Sequence, residues 1–486
     1  MKKDLITKEI GYVTNTKGYL LSLNGLPSVR INDIIEDDTG NRAMIASLEK
    51  DHVTALLLDD ILPKAGDRFS YSAGEKIYFP VGEHLFGRVV DTLGKSLDGK
   101  GSIPQGDVPI EFDAVAGGIS TRKEITEQFT TGISLIDTLF PIGKGQRQLL
   151  FGPTLSGKTG FFRDTIVNQK GKNIICIYVG IGKPIFAIES FTSHIFAQGA
   201  DKYTIVVAAL AESQTPMITI APTVGFHIAE HFRKQGKDVL LVLDDLGTHA
   251  KYLREISLLS KRIPGRQSYP GDIFYQHAHL LERAGNFNEE YGGGSITVFP
   301  VLETDIENFI DLIPTNIMAT TDGHLFFSPM LQAQGYTPSV AIDRSVTRVG
   351  RQTQMQLQKE LATKLMALFV EYDRQKEYIR FGTNVSSKTQ NILKQGEIAQ
   401  ELLRQEHRHN ISLNIQVILL SLAFSPFLLD REVSFTRANK ENLVNILENE
   451  PTLQDLRDNL KNNISLNDHL RALGNKIHIL EKACQP

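Results

Sequence analysis

The chain has 486 residues, 41% of them hydrophobic and 22% charged, with a formal net charge of −4. That balance fits about two to four globular domains and excludes the concentrated positive face that nucleic-acid binding demands. Two cysteines, Cys176 in an apolar run and Cys484 near the end, exclude a disulfide framework or cysteine metal site and fit a reducing compartment.

The opening "MKKDLITKEIGYV" has no apolar stretch long enough for a signal peptide. Short β-rich runs come next, "GYLLSL", "SVRIND", "AMIASLE", "VTALLLDD", "DRFSYS" and "EKIYFPV", punctuated by Gly, Asn-Gly and Asp-Asp-Thr-Gly. This pattern predicts an N-terminal six-stranded β-barrel over residues 1–78; the alternative is a sheet packed on the next domain. From 79 to 355 continuous apolar strands ("QLLFG", "IICIYVGIG", "YTIVVAAL", "DVLLVLDD") alternate with helix-length amphipathic stretches. Strands of that kind belong to a parallel sheet covered on both faces, so the region reads as a RecA-like P-loop α/β nucleotide domain. Residues 356–486 repeat apolar residues at three and four and predict a C-terminal α-helical bundle. Their greasiest segment, "VILLSLAFSPFLL", is too short to cross a bilayer.

The chemistry centres on "LLFGPTLSGKTGFF". Gly152, Pro153, Thr154, Leu155, Ser156, Gly157, Lys158, Thr159 and Gly160 follow a strand and open a helix, the context that makes this spacing a phosphate cradle for ATP or ADP. Backbone N–H groups converge on phosphate oxygens at the helix N-terminus, Lys158 bridges the β- and γ-phosphates, and the Thr159 hydroxyl faces Mg²⁺. Pro153 gives up one of those N–H groups. Asp244, at the end of "DVLLVLDD" with Asp245 beside it, is the expected carboxylate near the Mg²⁺ water shell; the alternative is a plain strand-end turn.

Hydrolysis also needs a group that orients and deprotonates water. Its natural place is the end of the strand after the cradle helix, where "IICIYVGIG" is followed by Lys183. A protonated lysine cannot accept that proton, so the site is expected to retain ATP and not to turn it over. The alternative turns Lys183 to solvent and makes Asp245 or Glu189 the base.

Further along, "GRVVDTLGKSLDGKG" (87–101), "TTGISLIDTLFPIGKGQR" (130–147), "PGRQSYPGDIFYQHAHLLERAG" (264–285), "GGGSITVFPVLET" (292–304), "IPTNIMATTDGHLFF" (313–327) and "SVTRVG" (345–350) occur in order. With them the chain resembles the α subunits of F-type rotary ATP synthases from about residue 10 to its end. The resemblance implies a non-catalytic nucleotide subunit alternating with catalytic β-type subunits in a heterohexamer around a γ-type central stalk. Membrane attachment, at the cytoplasmic face, would come only through other subunits. It implies that Arg348 in "SVTRVG" reaches into the neighbouring β-type catalytic site as an arginine finger, whereas the residues alone read as a solvated strand end. It makes Gln405 and His407 in "ELLRQEHRHN" candidates for adenine contacts, with a solvent-facing helix end as the alternative.

The chain also departs from the family pattern. Lys183 stands where α subunits carry glutamine and β subunits glutamate, Pro153 to Ser156 where α has Asp-Arg-Gln-Thr, and Thr337 where α has arginine. The N-terminal segment that ties α to the stator is nearly absent. These departures raise a specialised F-type-like ATPase driving work other than proton transport. A homohexameric secretion-type ATPase is a further reading, weakened by the missing glutamate, and an RNA translocase is disfavoured by the charge.

Overall fold

The structure, a computed structural model, describes residues 8–72, 76–104, 106, 108–112, 114–305, 311–380, 386–462 and 464–484. It divides into two compact units, Met1–Glu124 with Arg147–Thr154 and Gln169–Thr321, and Ile125–Gln146 with Leu155–Asn168 and Asp322–Pro486.

The first unit begins with six antiparallel strands, β1 (Glu9–Lys17), β2 (Leu20–Asn24), β3 (Ile34–Asp37), β4 (Arg42–Leu48), β5 (Val53–Leu57) and β6 (Arg68–Tyr71). They close into a barrel in the order β1-β2-β5-β4-β3-β6, as the alternating runs predict. Alternation puts Val13, Leu21, Leu23, Ile35, Ala55, Leu57 and Phe69 out of contact with water, all at 2% exposure or less. Register irregularities at Val13/Asn15 and Ile45/Ser47 supply the local bend that a small closed sheet needs. The barrel is tied to the rest of the unit by Tyr19 Oη donating to Glu255 at 2.8 Å and Arg262 Nη2 donating to the Ala46 carbonyl at 2.7 Å.

The same unit holds a parallel sheet of β7 (Val89–Val90), β8 (Gln148–Gly152), β9 (Ile174–Lys183), β10 (Thr204–Leu210), β11 (Asp238–Asp244) and β12 (Ser295–Glu303). Their order is β8-β12-β11-β9-β10-β7, every adjacent pair parallel. β8 and β10 are buried at every position and β9, β11 and β12 at nearly every one, which explains their unbroken apolar sequences. Helices Ile185–Phe196, Thr215–Arg233 and Leu246–Leu259 make the crossovers. The order brings the carboxyl ends of β8, β12, β11 and β9 side by side, with Gly152 opposite Glu303 and Gly180 opposite Asp244. Ligands of open α/β sheets bind outside such ends.

The second unit contains the helix Lys158–Val167, the antiparallel pair Gly323–Phe326 with Val346–Thr347, and the helices Gln356–Arg380, Ser387–Leu403, Leu413–Ser421, Val433–Asn449 and Leu466–Ala483. Their apolar spacing becomes packing: Leu357, Leu361, Leu365, Leu368 and Tyr372 form one buried stripe, and Ile398, Ala399 and Leu402 another. The Ser386 and Ser465 hydroxyls cap the starts of two of the helices. The greasy segment lies in the core, with Ile415 to Ala423 buried throughout. Among the described residues no helix is long and apolar enough to cross a membrane.

Candidate nucleotide site

The cradle is one continuous strand–loop–helix element whose two ends lie in different units, and each end builds its own surroundings. In the first unit, β8 delivers Gly152, Pro153 and Thr154 beside the ends of β12, β11 and β9. The Thr154 hydroxyl donates to Glu303 Oε2 at 3.4 Å. Lys183, the last residue of β9, sets its Nζ 2.9 Å from Asp244 Oδ1, 3.4 Å from Asp245 Oδ2 and 3.8 Å from Glu303 Oε1. The lysine therefore faces the carboxylates and not solvent. Tyr178 Oη, on the same strand, donates to the other Asp244 oxygen at 2.9 Å.

Each carboxylate has a distinct task. Asp245 caps the helix Leu246–Leu259, accepting from Thr248 N at 2.7 Å and the Thr248 hydroxyl at 2.9 Å. Glu303 is 38% exposed, whereas Asp244 is buried and could not stay charged without a cation in contact. Burial holds the Asp244 carboxyl above the usual carboxylate range, with Lys183 opposing that shift. Burial would lower the Lys183 ammonium, but Asp244, Asp245 and Glu303 outweigh it and hold its pKa well above the ordinary value. Lys183 is thus a fixed cation, unable to act as a base. Glu189, the other alternative base, is exposed and lines a separate cavity of about 230 Å³ with Asp98 and Lys100.

In the second unit the loop continues through exposed Leu155 and buried Ser156 to Gly157, whose φ of 95° starts the helix Lys158–Val167. A side chain at 157 would be strained there and would stand 2.7 Å from Ser339 Oγ. The Ser339 hydroxyl donates to the Ser156 carbonyl, fixing the turn. Lys158 is 4% exposed and its Nζ donates to Ser156 Oγ at 3.3 Å; Thr159 is exposed. Behind the loop, Phe161, Asp164, Pro338, Gln405 and His407 line a cavity of about 10 Å³, room for roughly one water.

Both candidate adenine contacts line that cavity; Gln405 is buried, whereas His407 is exposed in the turn after the helix Ser387–Leu403. The Gln405 amide is fully used inside the unit. Oε1 accepts from Ser134 N at 3.0 Å and the Ser134 hydroxyl at 3.1 Å, and Nε2 donates to the carbonyls of Gly132 and His409. His407 Nδ1 lies 2.6 Å from Asp164 Oδ2, and its ring covers Gly160, where a Cβ would stand 2.3 Å from Cε1. Arg348 follows the strand Val346–Thr347; its N–H donates to the Asp322 carbonyl at 2.9 Å and its side chain is exposed.

Sequence similarity agrees with this arrangement. Residues 132–347 match the nucleotide-binding domain of the ATP synthase alpha/beta family, and residues 354–478 match the C-terminal domain of the ATP synthase alpha/beta chain. ATP synthase subunit alpha of Petrotoga mobilis is 38% identical over 472 residues, spanning 94% of this chain and 93% of the relative. Those of Caldanaerobacter subterraneus subsp. tengcongensis and Mycoplasmopsis synoviae are 38% and 40% identical over 91% and 85% of this chain, and over 87% and 78% of their own lengths. The chain belongs to the ATP synthase alpha/beta family. The motif-based resemblance and the three-part architecture expected from it both hold. Within the family's nucleotide-binding domain lie the cradle, Lys183, Asp244, Asp245 and Glu303, while Gln405 and His407 fall in its C-terminal domain.

Of the two residues meant for Mg²⁺, Asp244 fits it poorly. Both Asp244 oxygens are engaged, one by an ammonium, leaving this carboxylate already neutralised. Tyr178, Asp164 and Ser339 were not singled out from sequence; only the strand register and the pairing of distant segments reveal them.

Proposed function

We propose that this chain is the α-type, nucleotide-retaining subunit of a rotary ATP synthase or ATPase. It holds ATP or ADP without hydrolysing it and lends Arg348 to the catalytic site of an adjacent β-type subunit. The assembly is an alternating heterohexamer around a γ-type stalk, attached to the cytoplasmic face of a membrane only through other subunits. The observation that carries this reading is the Lys183 ammonium, 2.9 Å from Asp244, at the strand end where hydrolysis needs a free carboxylate. Asp245 is committed to a helix cap, Glu303 is engaged by Lys183 and Thr154, and Glu189 lies in another cavity. None of these carboxylates is free to activate water.

In the cradle, the amides from Thr154 to Gly160 and the Lys158 ammonium contact the phosphates. A guanidinium suits the role given to Arg348 because its fixed fork binds several phosphoryl oxygens at once. The test is nucleotide binding and phosphate release by the purified full chain. It should bind ATP with negligible turnover, and Lys158→Ala should weaken binding. Brisk release of phosphate by the isolated chain would replace this reading with that of a self-sufficient, homohexameric ATPase.

A further inference from the structure

We propose that this subunit holds its nucleotide without a divalent cation, the Lys183 side chain standing where a metal would otherwise balance Asp244. The inference rests on the nucleotide-retaining role proposed above and adds the ionic form of the ligand, a nucleoside di- or triphosphate free of Mg²⁺.

Three observations carry it. Asp244 is the carboxylate that most needs a cation in contact: it is 5% exposed, Glu303 stands at the water-screened rim, and the more buried Asp245 accepts two hydrogen bonds from Thr248. That contact is supplied from within the chain at 2.9 Å, and the second oxygen is taken by Tyr178 at 2.9 Å. A divalent ion approaching Asp244 has to displace the ammonium or sit against it, and in a buried setting two such cations repel strongly.

The lysine's placement is built into the strand. In an uninterrupted β9, Lys183 would share the face of Ile181, which is fully buried. Gly182, at φ 64°, and the register shift between Ile181 and Lys183 break that alternation. The side chain then meets the ends of β11 and β12. There Glu303 receives both the ammonium and the hydroxyl of Thr154, so the cation stands against the first residues of the phosphate loop.

The test compares ATP binding by the full-length chain in excess Mg²⁺ and in EDTA, by calorimetry, and uses Mn²⁺ with ATP as a spin-resonance probe. The wild-type affinity should hold or rise on chelation, because excess Mg²⁺ ties up the metal-free nucleotide, with no Mn²⁺ immobilised. Lys183→Gln should lose about tenfold or more in EDTA, recover with Mg²⁺, and gain an immobilised Mn²⁺. A wild-type loss beyond about tenfold on chelation, or Mn²⁺ held by the wild-type chain with ATP, overturns the proposal. The wild-type comparison decides the matter even if the variant folds poorly. Absence of binding in both conditions overturns the retention reading itself, an outcome distinct from a metal requirement.

Discussion

His277 and His249 share a hydrogen bond in the interior of the first unit, Nε2 to Nδ1 at 3.3 Å, and His249 Nε2 lies 2.9 Å from the Thr219 carbonyl. The geometry fixes both tautomers: His249 donates from Nε2 to the carbonyl and accepts at Nδ1, so His277 donates from Nε2. That leaves His277 Nδ1 buried without a partner. Both rings must be neutral in the fold. Burial pushes His249 down to about 4 and His277 down to about 3, from an ordinary 6.5.

Folded and unfolded histidines therefore differ in proton uptake. The unfolded rings take up protons below about pH 6.5 while the folded ones do not, so stability is complete above that pH and falls as pH drops toward 4. Each ring contributes a slope of about 1.4 kcal/mol per pH unit in that window. Chemical denaturation at pH 7 and pH 5 should show the loss. His277→Asn, which keeps the donor to His249, should flatten the dependence by one ring's share. An unchanged slope would show that His277 does not titrate as described.

Gln405 should matter more to stability than its place in a polar stretch suggests. Gln405→Ala leaves the buried Ser134 N–H without its acceptor and takes one of two donors from the Gly132 carbonyl, which keeps the Ile411 N–H. The expected cost is about 2–3 kcal/mol, read by thermal denaturation without nucleotide. Gln405→Glu preserves shape but turns a carboxylate oxygen on two carbonyls, and should be no better. A melt unchanged by either substitution would show that these hydrogen bonds do not hold the loop.

Arg348 should act on a partner and not on its own chain. Arg348→Ala is expected to leave ATP binding by this subunit intact and to lower turnover of the reconstituted complex by about 10³-fold. Arg348→Lys should not restore the rate, because a point charge cannot reproduce the planar fork. Normal turnover by the alanine variant would remove the arginine from catalysis.

The large-scale architecture was legible in the sequence because it rests on periodicity. Alternation marks the barrel strands, unbroken apolar runs mark β9 and β11, and the spacing from Gly152 to Thr159 marks the cradle, all of them local properties of the chain. The partnerships of the site were not legible, because they depend on register and on distant segments. Tyr178 reads as one more apolar strand residue until Gly180 is paired with Asp244, which brings its hydroxyl onto the carboxylate. His407 reads as a polar residue beyond a helix, yet its partner Asp164 lies 243 positions away. Lys183 reads as the residue that denies the site a base. Its capture of Asp244 depends on the break at Gly182, which no spacing rule reports.

The closed ring of β1 to β6 leaves none of those strands with a free flank of backbone donors and acceptors. No neighbour can add a strand to this module, so one that seats itself there must grip side chains and turns. Recognition there can change residue by residue as the sequence drifts, while the six-stranded frame stays the same.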